Sequence, residues 1–274
     1  MRIEIAERRT TGKHSPATCE DGIVATEHHV AVVDGSTSKS AVQMEEGMKN
    51  GRLAMLLISE AIASLPPDID LKGFCRHVSQ RIRTYYQEHG ASMERLLRHP
   101  EERLTASVGI YSLHHNEIWL VGDCQCITGG RYYDNPKPEE ESIARHRSRL
   151  VEALLAEGKE TVASLRQHDT ARDVIVPDIV RTCHRQNIDF AVVDGFDIAQ
   201  DKIVVIKAAQ RGDIILATDG YPFLRDTLSA SEEALAAQLA TDPLCIRTYL
   251  ATKGQMAGNL SFDDRAYVRF QVSR

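Results

Sequence analysis

Apolar and polar positions along the chain repeat with two periods, and the changes of period divide it into elements. Arg2 to Arg8 alternates apolar and charged residues, the mark of an edge strand. Two β-branched runs follow, Ile23-Val24-Ala25 and Val30-Ala31-Val32-Val33, around a turn at Glu27-His28; this predicts a hairpin over residues 22–34. Ala41 to Ala63 is helical by spacing, with Met48, Leu53, Leu56, Leu57 and Ala61 recurring and Pro66-Pro67 as the stop. Leu71 to Gln87 is a second amphipathic helix, with Phe74, Val78, Ile82 and Tyr85 on one stripe. After a polar connector at Arg98 to Glu102, strand patterns return. Thr105–Leu113 and Glu117–Val121 flank a turn at His114-His115-Asn116, and Cys124 to Tyr133 continues as strand until Pro136 and Pro138 end it.

Glu139 to Arg185 is helical, polar and long, with breaks at Gly158 and Pro177, and predicts an inserted helical flap at about 136–186. Within it, Glu139-Glu140-Glu141 with Arg145, Arg147 and Arg149 reads as a solvated helix carrying i,i+4 pairs such as Glu141–Arg145. Phe190–Val193 and Lys202–Ala208 predict a further hairpin, followed by a strand around Ile214. Ser229-x-x-Glu232 is a capping box opening a helix to Leu239, Asp242-Pro243 opens another, and Tyr267 to Val272 is again strand. No low-complexity linker interrupts the pattern. Strands at both ends and in the middle, with helices in blocks, predict a single α+β domain over residues 1–274, of packed sheets covered by helices.

The hairpin carries the candidate chemistry. Val33-Asp34-Gly35 ends a buried strand in a carboxylate on an exposed turn, and antiparallel pairing of equal strands sets Asp21 beside Asp34. Ile214 to Ala217 delivers Asp219-Gly220 in the same way. Asp263-Asp264 precede the last strand, so an antiparallel neighbour brings Asp263 to the sheet edge where Asp219 emerges. Asp21, Asp34, Asp219 and Asp263 can therefore share one site, and carboxylates that close repel unless cations lie between them. Ala191-Val192-Val193-Asp194-Gly195 repeats the letters of residues 31–35, but its Asp-Gly opens a short loop and reads as turn chemistry.

Composition narrows the classes. The 274 residues suffice for a sizeable core, and a net charge of -6 (33 basic, 39 acidic) argues against a nucleic-acid footprint. No apolar run approaches membrane-spanning length, and Met1 to Arg9 is too charged for a signal peptide. Six scattered cysteines without a CxxC pair read as reduced thiols in a cytoplasmic protein, and Cys124-x-Cys126 as a pair on one strand face.

Taken together, these motifs resemble the metal-dependent PP2C-type protein phosphatases from Glu20 to about Val272. Glu20-Asp21 is similar to the family's early Glu-Asp and Asp34-Gly35 to its Asp-Gly turn. Thr105-Ala106 with Val121-Gly122-Asp123 is similar to its Thr-Ala strand and Gly-Asp turn, Thr218-Asp219-Gly220 to its Ser/Thr-Asp-Gly, and Asp263-Asp264 to its closing pair. The resemblance implies a four-layer αββα sandwich with a dinuclear Mn²⁺ or Mg²⁺ centre at one edge. Asp34 would bridge both ions, with the Gly35 carbonyl on one and Asp219 and Asp263 on the other, Glu20 and Asp21 would hold metal-bound waters, and Asp123 would belong to a third site. It implies water-mediated hydrolysis of a phosphorylated protein or another phosphomonoester, by a monomer.

The chain departs from the family at three points. Ser36 stands where many members carry a His proposed as general acid, and a serine hydroxyl is a poor acid near neutral pH. His14 is nearby in sequence, while His28 and His29 fall at the far hairpin turn as surface residues. The family's phosphate-binding Arg is replaced by Lys13, a point charge rather than a bidentate clamp. Phe223 occupies the place of an aspartate that assists Asp123, which leaves the third ion weakly held or absent. Two classes follow: a phosphoserine/phosphothreonine phosphatase, or a catalytically impaired relative that serves as a binding module. The retained carboxylates favour the enzyme.

Overall fold

A computed structural model describes residues 2–273. Among these residues ten strands form two five-stranded antiparallel sheets, and helices cover the outer faces. In the first sheet the order is β1 (Arg2–Thr11), β10 (Arg265–Ser273), β9 (Ile214–Ala217), β6 (Gln125–Thr128), β7 (Arg131–Tyr133). In the second it is β2 (Asp21–Ala25), β3 (His29–Gly35), β4 (Ala106–Ser112), β5 (Glu117–Val121), β8 (Val204–Lys207). The period of two decides which face each side chain serves. Val30 and Val32 of β3 join Leu216, Val268 and Phe270 in the core between the sheets. Ala31 and Val33 face α1 (Asn50–Ala63) and α2 (Leu71–Glu88), whose Leu53, Ile58, Phe74 and Ile82 build the second core layer. On the other outer face Ile215 and Tyr267 pack with Tyr221 and Leu228, the first residue of α7 (Leu228–Thr241). This is the αββα sandwich. Cys124 and Cys126 lie together in the inter-sheet core, as strand alternation predicts.

Several local expectations fail for identifiable reasons. The helix predicted from Ala41 begins only at Asn50. Gly47 sits at φ +76, and the buried Asn50 amide accepts from Met44 N–H and donates to the carbonyls of Val42 and Glu102, holding 42–49 as a loop. A further short helix, α3 (Met93–Arg98), leads into the polar connector, and the stretch 124–133 is a hairpin rather than one strand. Gly129 and Gly130, both at positive φ, make the two-residue turn that joins β6 to β7. Residues 190–193 are not a strand: Val193 makes one isolated bridge to Ala106, and β8 pairs with β5 instead. Thr227 rather than Ser229 caps α7, and Asp242 opens no helix; its carboxylate accepts from the N–H groups of Ile246, Arg247 and Thr248 to close a loop. His29 is buried as the first residue of β3, not exposed at a turn.

The stretch after Glu139 forms α4 (Glu140–Ala156), α5 (Val162–Gln167) and α6 (Thr170–Cys183), with Pro177 inside α6 rather than ending it. Although polar in sequence, these helices bury apolar side chains of their own. Val151, Leu165 and Ala171 pack with Leu244 and Ile246, and Ile143 packs with Ile175 and Ile179. Arg147, read from the sequence as solvated, is fully buried: it holds Asp169 Oδ2 at 2.6 and 2.9 Å and the carbonyls of Leu244 and Ala251.

Candidate functional site

Strand polarity gathers the predicted carboxylates at one edge of the sandwich. Asp21 and Asp34 face each other in register at the open end of the β2–β3 hairpin. Beside them, β9 ends and β10 begins: Ala217 pairs with Tyr267, which puts Asp219 and Asp263 at the same edge. β1 ends there too, since Thr11 pairs with Arg265, and Lys13 follows directly. Asp34, Asp219 and Asp263 line one cavity of about 130 Å³ together with Gly35, Ser36, Lys39 and Lys137. Helices α4 and α6 supply its opposite wall through Ile143, Arg172, Ile179 and Cys183.

Each carboxylate is held by a local device. Gly35 N–H donates to the Glu20 carbonyl at 2.9 Å and Ser36 N–H to that of Thr105 at 2.9 Å, which fixes the turn that carries Asp34. Asp123 follows Gly122, whose φ of +81 and close approach to Ser107 suit only glycine, and its Oδ1 accepts from Ser107 Oγ at 2.6 Å. Asp264 is a brace: its carboxylate accepts from the backbone N–H groups of Lys13 (2.6 Å) and Glu20 (3.3 Å), tying β1 and β2 to the start of β10.

The balance of charge at this edge is incomplete. Lys13 Nζ lies 3.3 Å from Glu20, 3.2 Å from Asp263 and 3.1 Å from Asp264. Lys137 donates to Asp123 at 2.5 Å, and Lys253 pairs with Asp263. Burial opposes ionisation of both aspartates, but Lys253 and Lys13 hold Asp263, and Lys137 holds Asp123, below the usual carboxylate range. The carboxylates of Asp34 and Asp219, by contrast, have no hydrogen-bonding or ion-pair partner among the described residues. Burial and then the neighbouring carboxylates push both upward, Asp219 to about 8. Glu20 Oε1 and Asp21 Oδ2 are buried without a partner. One oxygen each from Asp123, Glu140 and Asp219 lie within 4.8 Å of one another. Orphaned buried oxygens in an all-oxygen donor set fit hard divalent cations such as Mg²⁺ and Mn²⁺.

Lys137, Lys253, Lys39 and Glu140 escape sequence reasoning. Glu140 belongs to an acidic run in which Glu141 does pair with Arg145, and nothing in the run itself separates the solvated glutamate from the one facing Asp123. Lys137 between two prolines was the available hint, because its segment is extended and rigid. His14 is exposed, with Nδ1 3.2 Å from Asn259 Oδ1. Asp194 is turn chemistry of a buried kind: Oδ1 accepts from Phe196 N–H and from Asn187, and Oδ2 from Arg103 at 2.8 Å.

No family model matches the chain, and no curated protein matches it in sequence. Solved structures do match. The chain is similar to the serine/threonine phosphatase PstP/Ppp of Mycobacterium tuberculosis over 100% of both chains, with a TM-score of 0.50 at 15% identity. It is also similar to the catalytic domain of the serine threonine protein phosphatase PstP in complex with two manganese ions, over 99% of both chains, with a TM-score of 0.50 at 14% identity. At such identities the likeness speaks for the fold. The chain has the PP2C-type phosphatase fold, with a carboxylate cluster at one edge of its sandwich.

Proposed function

We propose that the protein is a metal-dependent phosphomonoester hydrolase, most simply a serine/threonine protein phosphatase, with Asp34 and Asp219 at the reacting centre. The observation that carries this reading is the pair of cavity carboxylates, Asp34 and Asp219, left without a cationic partner while Lys13, Lys137 and Lys253 engage their neighbours. In the proposal Asp34, the Gly35 carbonyl, Asp219 and Asp263 hold two Mn²⁺ or Mg²⁺ ions, Glu20 and Asp21 order the waters around them, and Asp123 borders a third, weaker position. Bound divalent ions supply charge neutralisation for phosphoryl oxygens and acidify water at the site. The chain's own part is to fix the carboxylates on strand ends and to exclude bulk water beneath α4 and α6. Lys13, within 3.3 Å of Glu20, Asp263 and Asp264, contributes positive charge beside the phosphate position.

A phosphorylated protein is the proposed substrate class, by analogy with PstP/Ppp. No helix among the described residues is long and apolar enough to cross a membrane. The six cysteines are free and buried, which supports a reducing, cytoplasmic compartment. The embedded lysines favour a second reading, a binding module in which ammonium groups stand where ions would. Hydrolysis of p-nitrophenyl phosphate and of a phosphothreonine peptide, with and without Mn²⁺, separates the two. Mn²⁺-dependent turnover supports the enzyme, and its absence alongside intact folding supports the binding module.

A further inference from the structure

Lys39 differs from the other lysines of the cavity. Lys13, Lys137 and Lys253 each sit against a carboxylate. The Lys39 ammonium instead donates to Ser36 Oγ at 2.8 Å and, among the described residues, has no carboxylate within ion-pair distance. Ser36 follows directly on Asp34-Gly35, and the side chains of Lys39, Ser36, Asp34 and Asp219 border the same cavity. An ammonium has three N–H donors. One is committed to Ser36, so the others are available to a molecule that enters.

We propose that Lys39 is a catalytic acid that delivers a proton to the leaving oxygen, with Ser36 as the residue that positions it. This rests on the phosphomonoesterase reading above. As a water oxygen forms its bond to phosphorus, the bond from phosphorus to the leaving oxygen breaks. Its electron pair stays on that oxygen, which takes a proton from Lys39 Nζ and departs as a neutral alcohol. The proton released by the attacking water passes to phosphate or solvent, and the neutral amine regains one from solvent.

The surroundings suit the task. An ordinary lysine is too weak an acid to give up its proton readily near neutrality. Burial lowers the Lys39 ammonium to about 8, with Lys137, Lys253 and Arg172 adding repulsion and Cys183 acting in the opposite sense. Arg172 and Cys183 face it from α6, Lys137 from the segment before α4 and Lys253 from the loop before β10. The carboxylates of Asp34, Glu139, Glu140, Asp189, Asp219 and Asp263 and the Arg185 guanidinium share the cavity. At pH 7 such a group is mostly protonated and still able to donate.

The alternative is that Lys39 merely braces the turn through Ser36, and leaving-group dependence separates the two. The full chain is assayed at saturating Mn²⁺ on p-nitrophenyl phosphate, whose anion departs unaided, and on benzyl phosphate, which expels a basic alkoxide. Lys39→Met lowers kcat/KM on benzyl phosphate by about 10²-fold or more, and on p-nitrophenyl phosphate by roughly tenfold at most. The wild-type benzyl profile falls as pH rises through about 8; that limb moves to higher pH in Lys39→Arg and is missing in Lys39→Met. Ser36→Ala loses less than Lys39→Met on the same substrate. Circular dichroism and residual Mn²⁺-dependent p-nitrophenyl phosphate hydrolysis establish that the variants fold. Equal losses on both substrates, no loss, undetectable wild-type turnover of benzyl phosphate, or survival of the alkaline limb in Lys39→Met would overturn the role of Lys39 alone. Absence of Mn²⁺-dependent turnover of p-nitrophenyl phosphate by the wild type would overturn the hydrolase reading and the inference with it.

Discussion

Gly35 packs backbone to backbone against Gly51, and neither position has room for a Cβ. A methyl on Gly35 would run into the Gly51 carbonyl, and one on Gly51 would lie 2.6 Å from both Glu20 Oε1 and the Ser36 carbonyl. The contact seats the first turn of α1 on the end of β3, so the turn that carries Asp34 is set by a helix and not only by its own strand.

Gly51→Ala should therefore destabilise the fold by about 1–3 kcal/mol, the usual range for overpacking. It should also displace Glu20 and Ser36. Urea unfolding measures the first effect. A weakened response of thermal stability to Mn²⁺ measures the second, and a variant with wild-type stability and Mn²⁺ response would show that the contact relaxes freely.

Asp34→Asn and Asp219→Asn should each abolish Mn²⁺-dependent hydrolysis while leaving the fold intact. Burial and neighbouring carboxylates raise both groups. Removing either charge should then make the ion-free protein more stable, by about 1 kcal/mol or more per unit of relieved pKa shift before screening. Mn²⁺ should raise the melting temperature of the wild type and barely that of the variants. Wild-type turnover in either variant would overturn the assignment.

The edge of the sandwich was legible in the sequence because strand alternation and strand polarity are local rules. A buried β-branched run ending in Asp-Gly must deliver its carboxylate at a sheet end, and antiparallel pairing says which ends meet; the Asp21–Asp34 pair follows from that alone. The rest depends on contacts between distant segments. Glu140 and Glu141 are indistinguishable as letters, and only the docking of α4 turns one toward Asp123. Asn50 opens α1 rather than sitting midway along a longer helix because its amide meets the carbonyl of Glu102, far along the chain. Arg147 looks like one of a solvated row until Asp169 and two carbonyls close around it.

That last network gives a prediction about α4 to α6. Arg147 is fully buried, and its guanidinium joins the N-cap of α6 to the loop after Asp242. Arg147→Met leaves Asp169 charged and buried without its cation, a loss of about 3–5 kcal/mol. Hydrogen exchange should then accelerate first in α4 and α6, while β9 and β10 keep their protection. The double variant Arg147→Met/Asp169→Asn should recover part of the loss, and no recovery would mean that packing rather than charge carries the effect.

His29 sets a pH dependence that the carboxylates do not share. Its side chain is 1% exposed, with Nε2 lacking a partner, and burial lowers its pKa from 6.5 to about 4, helped by His28 and His115. The unfolded chain therefore binds a proton on His29 more readily than the folded one. Above pH 6.5 both states are neutral at this residue and it contributes nothing to pH dependence. As pH falls from 6.5 towards 4, the unfolded state gains the proton and the folded state does not, so stability declines by up to about 1.4 kcal/mol per pH unit. Below about 4 both states carry the proton and the decline stops. His29→Leu removes this contribution while keeping an apolar side chain in β3, and carboxylates titrating in the same range cancel when the two proteins are compared. Urea unfolding at pH 7.5, 6 and 5 should show the variant gaining on the wild type by about 1–2 kcal/mol between the first and last. A difference that stays constant across the three would mean that His29 takes up its proton in the folded protein as readily as in the unfolded chain.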